Sequence, residues 1–517
     1  MIKKTLVIPL FLLLYTPGTH ARLRISNETE FGSGSITGPG AGQSIVTGKG
    51  TFTNVLGISY SGEVQDVSYF LDLSGRATSD PASDYREYSL SRVQARVIKE
   101  AHTVNLGDVM SPFTQYSLGA SLKGITYTGS YPGRFAPELS LTYGFHSPRW
   151  DSLFSPADDI KTIRRQAYGA NLAVHPTDAW RVSAHFVRTA DSGRPGGWET
   201  LYDGGVYGAA WSFEPFDGLA LRGETSFSGT TVRPADGSSV KKSGSANRVS
   251  FRGYGDDLRL DLDYERVSSG FLSVLGSATP DRERARGVWT RDYSRETSVR
   301  YSFLWFRNNL DGSLEETSHS YRPDIRITQR RLFGRRYASG DITCRLDYRT
   351  GPSRDTGTYV DTGYRDRFGW LDSETRLGVA FFGGDIRDSA EYVVNTSLGS
   401  RKSLKGLILR PNLRIGTRIH DDSSTGTLDI IREASLGSGV DVPGLGLSCS
   451  VQGGVYSFKK DNGSDSSRAF ISAHSFYRPR FGDYTVFLRY SLNDFRSSDS
   501  GRDYRENLLS AGISIQY

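Results

Sequence analysis

The sequence predicts an all-β fold: a single large transmembrane antiparallel β-barrel of about 24 strands, within roughly 22–26. Three observations predict it. Apolar and polar side chains alternate with a two-residue period, the composition is polar on average yet rich in Gly, Tyr and Phe, and the last strand ends on an aromatic residue. The 517 residues are 37% hydrophobic, 23% charged and 12% aromatic, with 58 Gly, 28 Tyr and 26 Phe. A mean hydropathy of -0.43 excludes a bundle of membrane helices. So many aromatics argue against disorder, and only two Cys exclude a disulfide-knit scaffold. A net charge of +6 over this length gives no argument for nucleic-acid binding.

Residues 1–21 read as a signal peptide. Lys3 and Lys4 start it, Leu6 to Tyr15 form a short apolar run containing Pro9, and Thr19-His20-Ala21 offers small residues where a peptidase cuts. The apolar run is too short to cross a bilayer. Residues 22–50, with Gly32-Ser33-Gly34 and Gly38-Pro39-Gly40-Ala41-Gly42, read as a Gly/Ser-rich periplasmic N-terminal segment. The barrel is then expected over 51–517, with no room for a plug domain or a passenger.

The alternation is clearest in five stretches. Trp180, Val182, Ala184 and Phe186 alternate with Arg181, Ser183 and His185. Leu258, Leu260, Leu262 and Tyr264 alternate with Arg259, Asp261 and Asp263. Ile342, Cys344, Leu346 and Tyr348 alternate with Thr343, Arg345 and Asp347. Leu413, Ile415, Thr417 and Ile419 alternate with Arg414, Gly416 and Arg418. Tyr484, Val486, Leu488, Tyr490 and Leu492 alternate with Thr485, Phe487, Arg489 and Ser491. At 3.6 residues per turn these charges would scatter around a helix, so the stretches are strands. Asp236-Gly237 and Asp311-Gly312 mark turns between such strands.

A soluble sandwich would hide the apolar faces against a second sheet, whereas a barrel turns them to lipid. Tyrosines near strand ends (Tyr264, Tyr348, Tyr484, Tyr490) and Arg beside Asp on the polar face favour the barrel. Both termini of such a barrel normally face one side, so the strand number is expected to be even. The segment from Asn493 to Tyr504 would then face outside.

The C-terminus is the most specific signal. Leu509, Ala511, Ile513, Ile515 and Tyr517 share one face, with Ser510 and Gly512 on the other. This ending resembles the terminal β-signal of bacterial outer-membrane β-barrel (porin-like) proteins, in the variant that ends on Tyr rather than Phe. The resemblance implies Sec-dependent export to the cell outer membrane of a Gram-negative bacterium. It also implies the barrel-assembly machinery as a partner, reading Ser510, Gly512, Ile515 and Tyr517 as an assembly signal, and contact with outer-membrane lipids and lipopolysaccharide. A shorter stretch, Val104-Asn105-Leu106-Gly107-Asp108 with Tyr116-Ser117-Leu118-Gly119 and Leu122-Lys123-Gly124-Ile125, is similar to a segment of fimbrial ushers. It spans about twenty residues and carries no function over.

The expected function is a porin-like channel for passive passage of polar or anionic solutes. Its pore-lining residues are expected to be Arg181, His185, Arg259, Asp261, Asp263, Arg345, Asp347, Arg414, Arg418 and Arg489. Arginine outnumbers lysine by 51 to 12. Inward arginines would favour anions; arginines at the outer rim would meet lipopolysaccharide phosphates. No catalytic, cofactor or metal site is expected. His474-Ser475 and His319-Ser320 put neighbours on opposite faces of a strand, and no zinc spacing or phosphate loop occurs. Cys344 and Cys449 are expected to be unpaired and lipid-facing. The alternative is a housing or export barrel, whose lumen holds a partner protein or a secreted polymer, as in polysaccharide export or an electron conduit. So wide a barrel needs filling, and segments 107–119, 148–164, 229–246 and 267–285 are candidates to fold inward.

Overall fold

The computed structural model describes residues 21–44, 50–81, 83–147, 149–150, 153, 163–192, 200–385, 388–461, 463 and 465–517. The expected signal peptide lies outside them apart from Ala21.

The wall begins with β1 (Arg22–Thr37), β2 (Thr51–Val64), β3 (Val67–Thr78), β4 (Tyr88–Lys99) and β5 (His102–Val109). It continues with β6 (Leu122–Ser130), β7 (Glu138–His146), β8 (Arg164–Thr177), β9 (Trp180–Ser192) and β10 (Leu201–Phe216). Then come β11 (Leu219–Arg233), β12 (Val240–Tyr254), β13 (Leu258–Val267), β14 (Arg282–Asp292) and β15 (Thr297–Arg307). Next are β16 (His319–Arg330), β17 (Ser339–Thr350), β18 (Asp355–Phe368), β19 (Leu371–Gly384), β20 (Ser389–Ser400) and β21 (Lys402–Leu404). The last are β22 (Leu407–Asp422), β23 (Thr427–Val442), β24 (Leu447–Lys459), β25 (Ser466–Tyr477), β26 (Tyr484–Ser497) and β27 (Tyr504–Gln516).

Each strand pairs antiparallel with its sequence neighbour, and β1 pairs with β27 from Ser26↔Gln516 to Thr37↔Arg505, which closes the sheet. β20 and β21 form one stave, both paired to β22. Their ladder breaks opposite Pro411, which has no N–H to give it. The closed barrel therefore has 26 strands rather than 24, and the number is even.

The N-terminal expectation needs correcting. Residues 22–37 are not a free periplasmic segment; they are a wall strand, and the barrel closes on it. Its alternation is masked because Asn27 and Thr29 occupy the outward face between Ile25 and Phe31. There Asn54 Nδ2 donates to Thr29 Oγ1 (2.7 Å) and to Asn27 Oδ1 (3.1 Å), pairing the amides with each other.

One end of the barrel has tight connections, such as Gln65-Asp66 and Lys405-Gly406, in which Gln65, Asp66, Lys405 and Gly406 all have positive φ. The termini lie at this turn end. Long connections lie at the other, loop end. The outward face is apolar across neighbouring strands: Leu172, Phe186, Tyr207, Phe227, Val249 and Leu262 on one side, and Ile325, Val360, Leu377, Val394, Ile415 and Leu436 on the other, are all exposed. Some outward glycines lie under an aromatic ring. A Cβ on Gly223 would meet Trp211 at 2.4 Å, and one on Gly287 would meet Phe303 at 2.2 Å.

Cys344 and Cys449 are both free, and the register puts both on the outward face. Cys449 Sγ lies 3.2 Å from Ser475 Oγ.

Candidate lumen site

Two long connections turn into the lumen from the loop end, 110–121 after β5 and 268–281 after β13. They bond to each other: the N–H groups of Gly119 and Ala120 donate to Leu275 O (2.8 and 3.2 Å), and Ser277 N–H donates to Gln115 O (2.8 Å). Tyr116 and Phe271, both fully buried, meet edge to face with ring centroids 6.0 Å apart. Apolar residues at inward wall positions receive them. Leu118 and Leu275 pack with Val109, Leu122, Ala167 and Val187. Tyr116 and Phe271 pack with Val206, Ala246 and Val267. Of the expected inward segments, 107–119 and 267–285 therefore contain the folded-in loops. Segment 229–246 does not: it is an upright hairpin, in which β11 and β12 stay paired from Leu219↔Gly253 to Val232↔Val240. Most of 148–164 falls outside the described residues.

Polar groups complete the seat. The Tyr116 hydroxyl donates to Glu265 Oε1 (2.8 Å), and the same carboxylate takes Arg282 and Arg284 at 3.0 Å each. Burial and the facing Glu265 push the phenol up, so it stays neutral and acts as a donor. Ser226 donates to Glu224 Oε1 (3.0 Å), and Thr114 with the Tyr116 backbone also bond to Glu224. Ser111 Oγ bridges Thr126 and Thr142 (3.1 and 2.8 Å). His185 Nε2 reaches Ser226 Oγ at 3.2 Å and Thr114 Oγ1 at 3.4 Å, while its Nδ1 is buried without a partner. His185 faces inward but lines no open passage; Thr114 covers it.

Beside this seat, toward the turn end, a cavity of about 900 Å³ lies against β9–β15. Arg181, Arg222, Arg248, Arg252, Arg259, Arg284, Arg286 and Arg300 line it, against Glu224, Asp261 and Asp263. Asp261 is shared by Arg252 (2.9 Å) and Arg259 (2.8 Å), and Asp263 by Arg248 (2.6 Å) and Arg284 (3.5 Å). Arg181 is held by Glu138 (3.0 Å). Among the described residues Arg286 and Arg300 have no ion-pair partner, so the cationic charge exceeds its counter-charge here.

Arg181, Arg259, Asp261 and Asp263 are thus brought together around one cavity. His185 lies buried under the loop seat, and Arg345, Asp347, Arg414, Arg418 and Arg489 point inward but lie apart, on a wall that no segment among the described residues covers. Arg345 is 3.5 Å from Asp347 and sits over the Tyr359 ring at 3.8 Å. Arg414 pairs with Glu433 (2.9 Å), Arg418 with Glu391 (3.5 Å) and Arg489 with Glu30 (3.7 Å). Sequence reasoning missed Tyr116, Glu224, Glu265, Phe271, Arg286 and Arg300. Glu265 was within reach, because it is the next inward position after Asp263.

The Leu-Gly-Asp stretch has a local role. Gly107 has φ +93, and a Cβ there would come within 2.1 Å of Val93 O. Asp108 accepts from the Val93 N–H (2.8 Å) and Trp150 Nε1 (2.8 Å) and pairs with Lys123, over whose ammonium the Trp150 ring lies. Next to Trp150, Arg149 pairs with Asp84 (2.6 Å), which also takes Arg76. Arg149 first, and then the Arg86 backbone N–H and Arg76, hold the Asp84 carboxyl well below the usual carboxylate range against its burial.

In the terminal strand Ser510 and Gly512 face inward, and Ile515 and Tyr517 face outward. Tyr517 extends the closing ladder by exchanging two backbone bonds with Ile25 (2.8 and 3.0 Å). A Cβ on Gly512 would meet the Phe487 ring at 2.3 Å. Among the described residues no group of three or more His, Cys, Asp or Glu is placed to hold a metal ion.

No family model matches the sequence, and no curated protein matches it. Solved structures do. The chain is similar to the P pilus usher (PapC) translocation pore at 11% identity and TM-score 0.39, covering 96% of this chain and 99% of that one. It is similar to the outer membrane transporter YddB from Escherichia coli at 9% identity and TM-score 0.45, covering 96% and 81%. It is also similar to the outer membrane protein opdK from Pseudomonas aeruginosa at 11% identity and TM-score 0.29, covering 96% and 99%. The resemblance is to bacterial outer-membrane barrels, with no subfamily identified.

Proposed function

We propose that the chain is an outer-membrane channel whose lumen is narrowed by two of its own loops and whose remaining passage takes polar, preferentially anionic solutes. One observation carries the reading: inside a closed sheet, an arginine-rich cavity adjoins the seat of the folded-in segments. Arginine presents a rigid fork of donors to carboxylate or phosphate. Arg286 and Arg300, without an ion pair among the described residues, supply positive field. Solute moves down its gradient, and no chemical step is required of the protein. In this reading the loop end faces the cell exterior, since short turns normally face the periplasm. The strand that ends on Tyr517 then serves in assembly, with Ser510 and Gly512 on its lumen side and Ile515 and Tyr517 toward lipid.

The test is planar-bilayer recording of the purified full-length barrel in a salt gradient. An anion-selective reversal potential is expected, moving toward zero in the Arg286→Gln/Arg300→Gln double variant. Absence of conductance, or an unmoved potential, rejects the reading. A housing barrel has one observation in its favour: the inner face of β16–β27 is covered by no segment among the described residues. A stoichiometric partner that co-purifies with the barrel would support it.

A further inference from the structure

A recess of about 420 Å³ near the loop end, spanning β23 to β26, has cationic side chains of a different kind from those in the lumen. Arg432, Ser457, Lys459, Ser467 and Arg496 all line it. The ladder register places each of them on the outward face: Arg432 opposes Ser457, Ser457 opposes Ser467, and Ser467 opposes Arg496. These four form one row across four neighbouring strands. Lys459, opposite Ile430, stands one outward position nearer the loops. Toward the turn end, the next outward positions on β23, β24 and β25 are Ala434, Val455 and Ala469, and then Leu436, Gly453 and Ile471. The row therefore borders the apolar band on its loop side.

The three cations outnumber the two carboxylates beside them, Asp465 and Asp494. Arg496 has Asp494 (3.2 Å from Nε). Asp465, the carboxylate lining the recess, accepts the Lys460 backbone N–H (2.9 Å). Arg432 and Lys459 have no ion-pair partner among the described residues. Cations on the lipid face of a barrel are costly except near its interfaces. Three of them around one concavity at that border, with serine hydroxyls between, make a donor set for an anion that lies at membrane height and is reached from outside.

We propose that this recess binds the phosphate of an outer-leaflet lipid headgroup, with Arg432 and Arg496 donating from either side and Lys459 from the loop side. The chemistry is that of a phosphate monoester on a glycolipid, whose acyl chains run down the apolar band below Arg432. The proposal rests on the outer-membrane reading given above.

The test is native mass spectrometry of the full-length folded barrel in detergent. The protein is titrated with bisphosphorylated lipid A and with lipid A stripped of its phosphates, each with and without inorganic phosphate as competitor. Wild-type protein is expected to retain bisphosphorylated lipid A and to discriminate against the stripped form. Arg432→Gln/Arg496→Gln is expected to weaken retention by about a hundredfold, the size of two lost charge-assisted contacts at about tenfold each. Lys459→Gln alone is expected to weaken it less, and serves if the double variant does not fold. Equal retention of the stripped lipid, or unchanged retention by the variants, overturns the proposal. Displacement by inorganic phosphate overturns the lipid assignment in favour of a free-phosphate site. Heat-dependent gel migration and the need for detergent are read on the same samples. Failure of the site is thereby distinguished from failure of the membrane reading.

Discussion

The wall from β5 to β14 and the wall from β16 to β27 share one pleat and one outward apolar face, yet their inner faces obey different rules. On the first, Thr126, Ala167, Val187, Ser226, Ala246 and Val267 are buried where loops 110–121 and 268–281 seat on the wall. Small and hydroxyl-bearing residues there make room for a second layer, and every donor needs a partner once water has left. On the second, Arg322 with Asp347 (2.7 Å), Arg326 with Asp341 (3.1 Å) and Arg414 with Glu433 (2.9 Å) form a lattice of part-exposed ion pairs. Such pairs contribute little one at a time. A barrel wall can thus be a protein core along one arc and a hydrated surface along the other. What covers the arc decides the difference.

The largest expected effect breaks the contrast outright. Replacing residues 270–278 with a short Gly-Ser linker uncovers the first wall, and single-channel conductance is expected to rise by about twofold or more, as a constriction is removed. An unchanged conductance would mean that the folded-in segments do not narrow the path.

Point substitutions sharpen it. Leu118→Ala, at a position 3% exposed among Val109, Leu122 and Val187, is expected to cost about 2–5 kcal/mol in urea unfolding from micelles. Arg414→Ala on the open wall is expected to cost no more than about 1 kcal/mol. Similar costs for the two would erase the distinction between core and surface. Gly107→Ala, forced to φ +93 beside Val93 O, is expected to lose about 1–3 kcal/mol and to loosen the entry to the first inward loop. Chymotrypsin cleavage within 110–121, after Phe113, Tyr116 or Leu118, reads that loosening.

The smallest effect is a pH response at the loop end. Because Asp84 is depressed in the folded protein, its contacts with Arg149 and Arg76 stabilise the loops above the unfolded carboxylate value near 4. That contribution falls away as pH drops below about 4 toward the depressed folded value. The hydrogen-exchange protection factors of 79–87, with the intrinsic pH dependence divided out, are expected to be flat from neutral pH to about pH 5 and to fall only below about pH 4. The Asp84→Asn protein should lack this acid step.

Much of the wall was legible in the sequence, for a local reason. The strand pleat repeats every two residues, so the period that puts Leu262 outside puts Asp261 and Asp263 inside, whatever the rest of the chain does. β1 was hidden because Asn27 and Thr29 break the apolar stripe; they are satisfied by each other and by Asn54, a residue of the next strand. Two inward loops were marked by length, but length misread 229–246, where the strands simply run longer before turning. Glu265 was one step beyond a recognised run. Tyr116 and Phe271 lay in segments marked as inward loops, but nothing local showed that their rings meet or that Arg300 faces the same cavity as Arg259.

The amino-acid sequence by itself determined the extended conformation and which side of each regularly alternating strand is greasy. The tertiary structure alone decided that β1 meets β27, that segments 110–121 and 268–281 find each other inside, and which arginines share a carboxylate. The physical reason is range. Facing is set between adjacent residues by backbone geometry, whereas closure, loop burial and charge pairing join groups up to hundreds of residues apart, and only the closed sheet brings them within bonding distance.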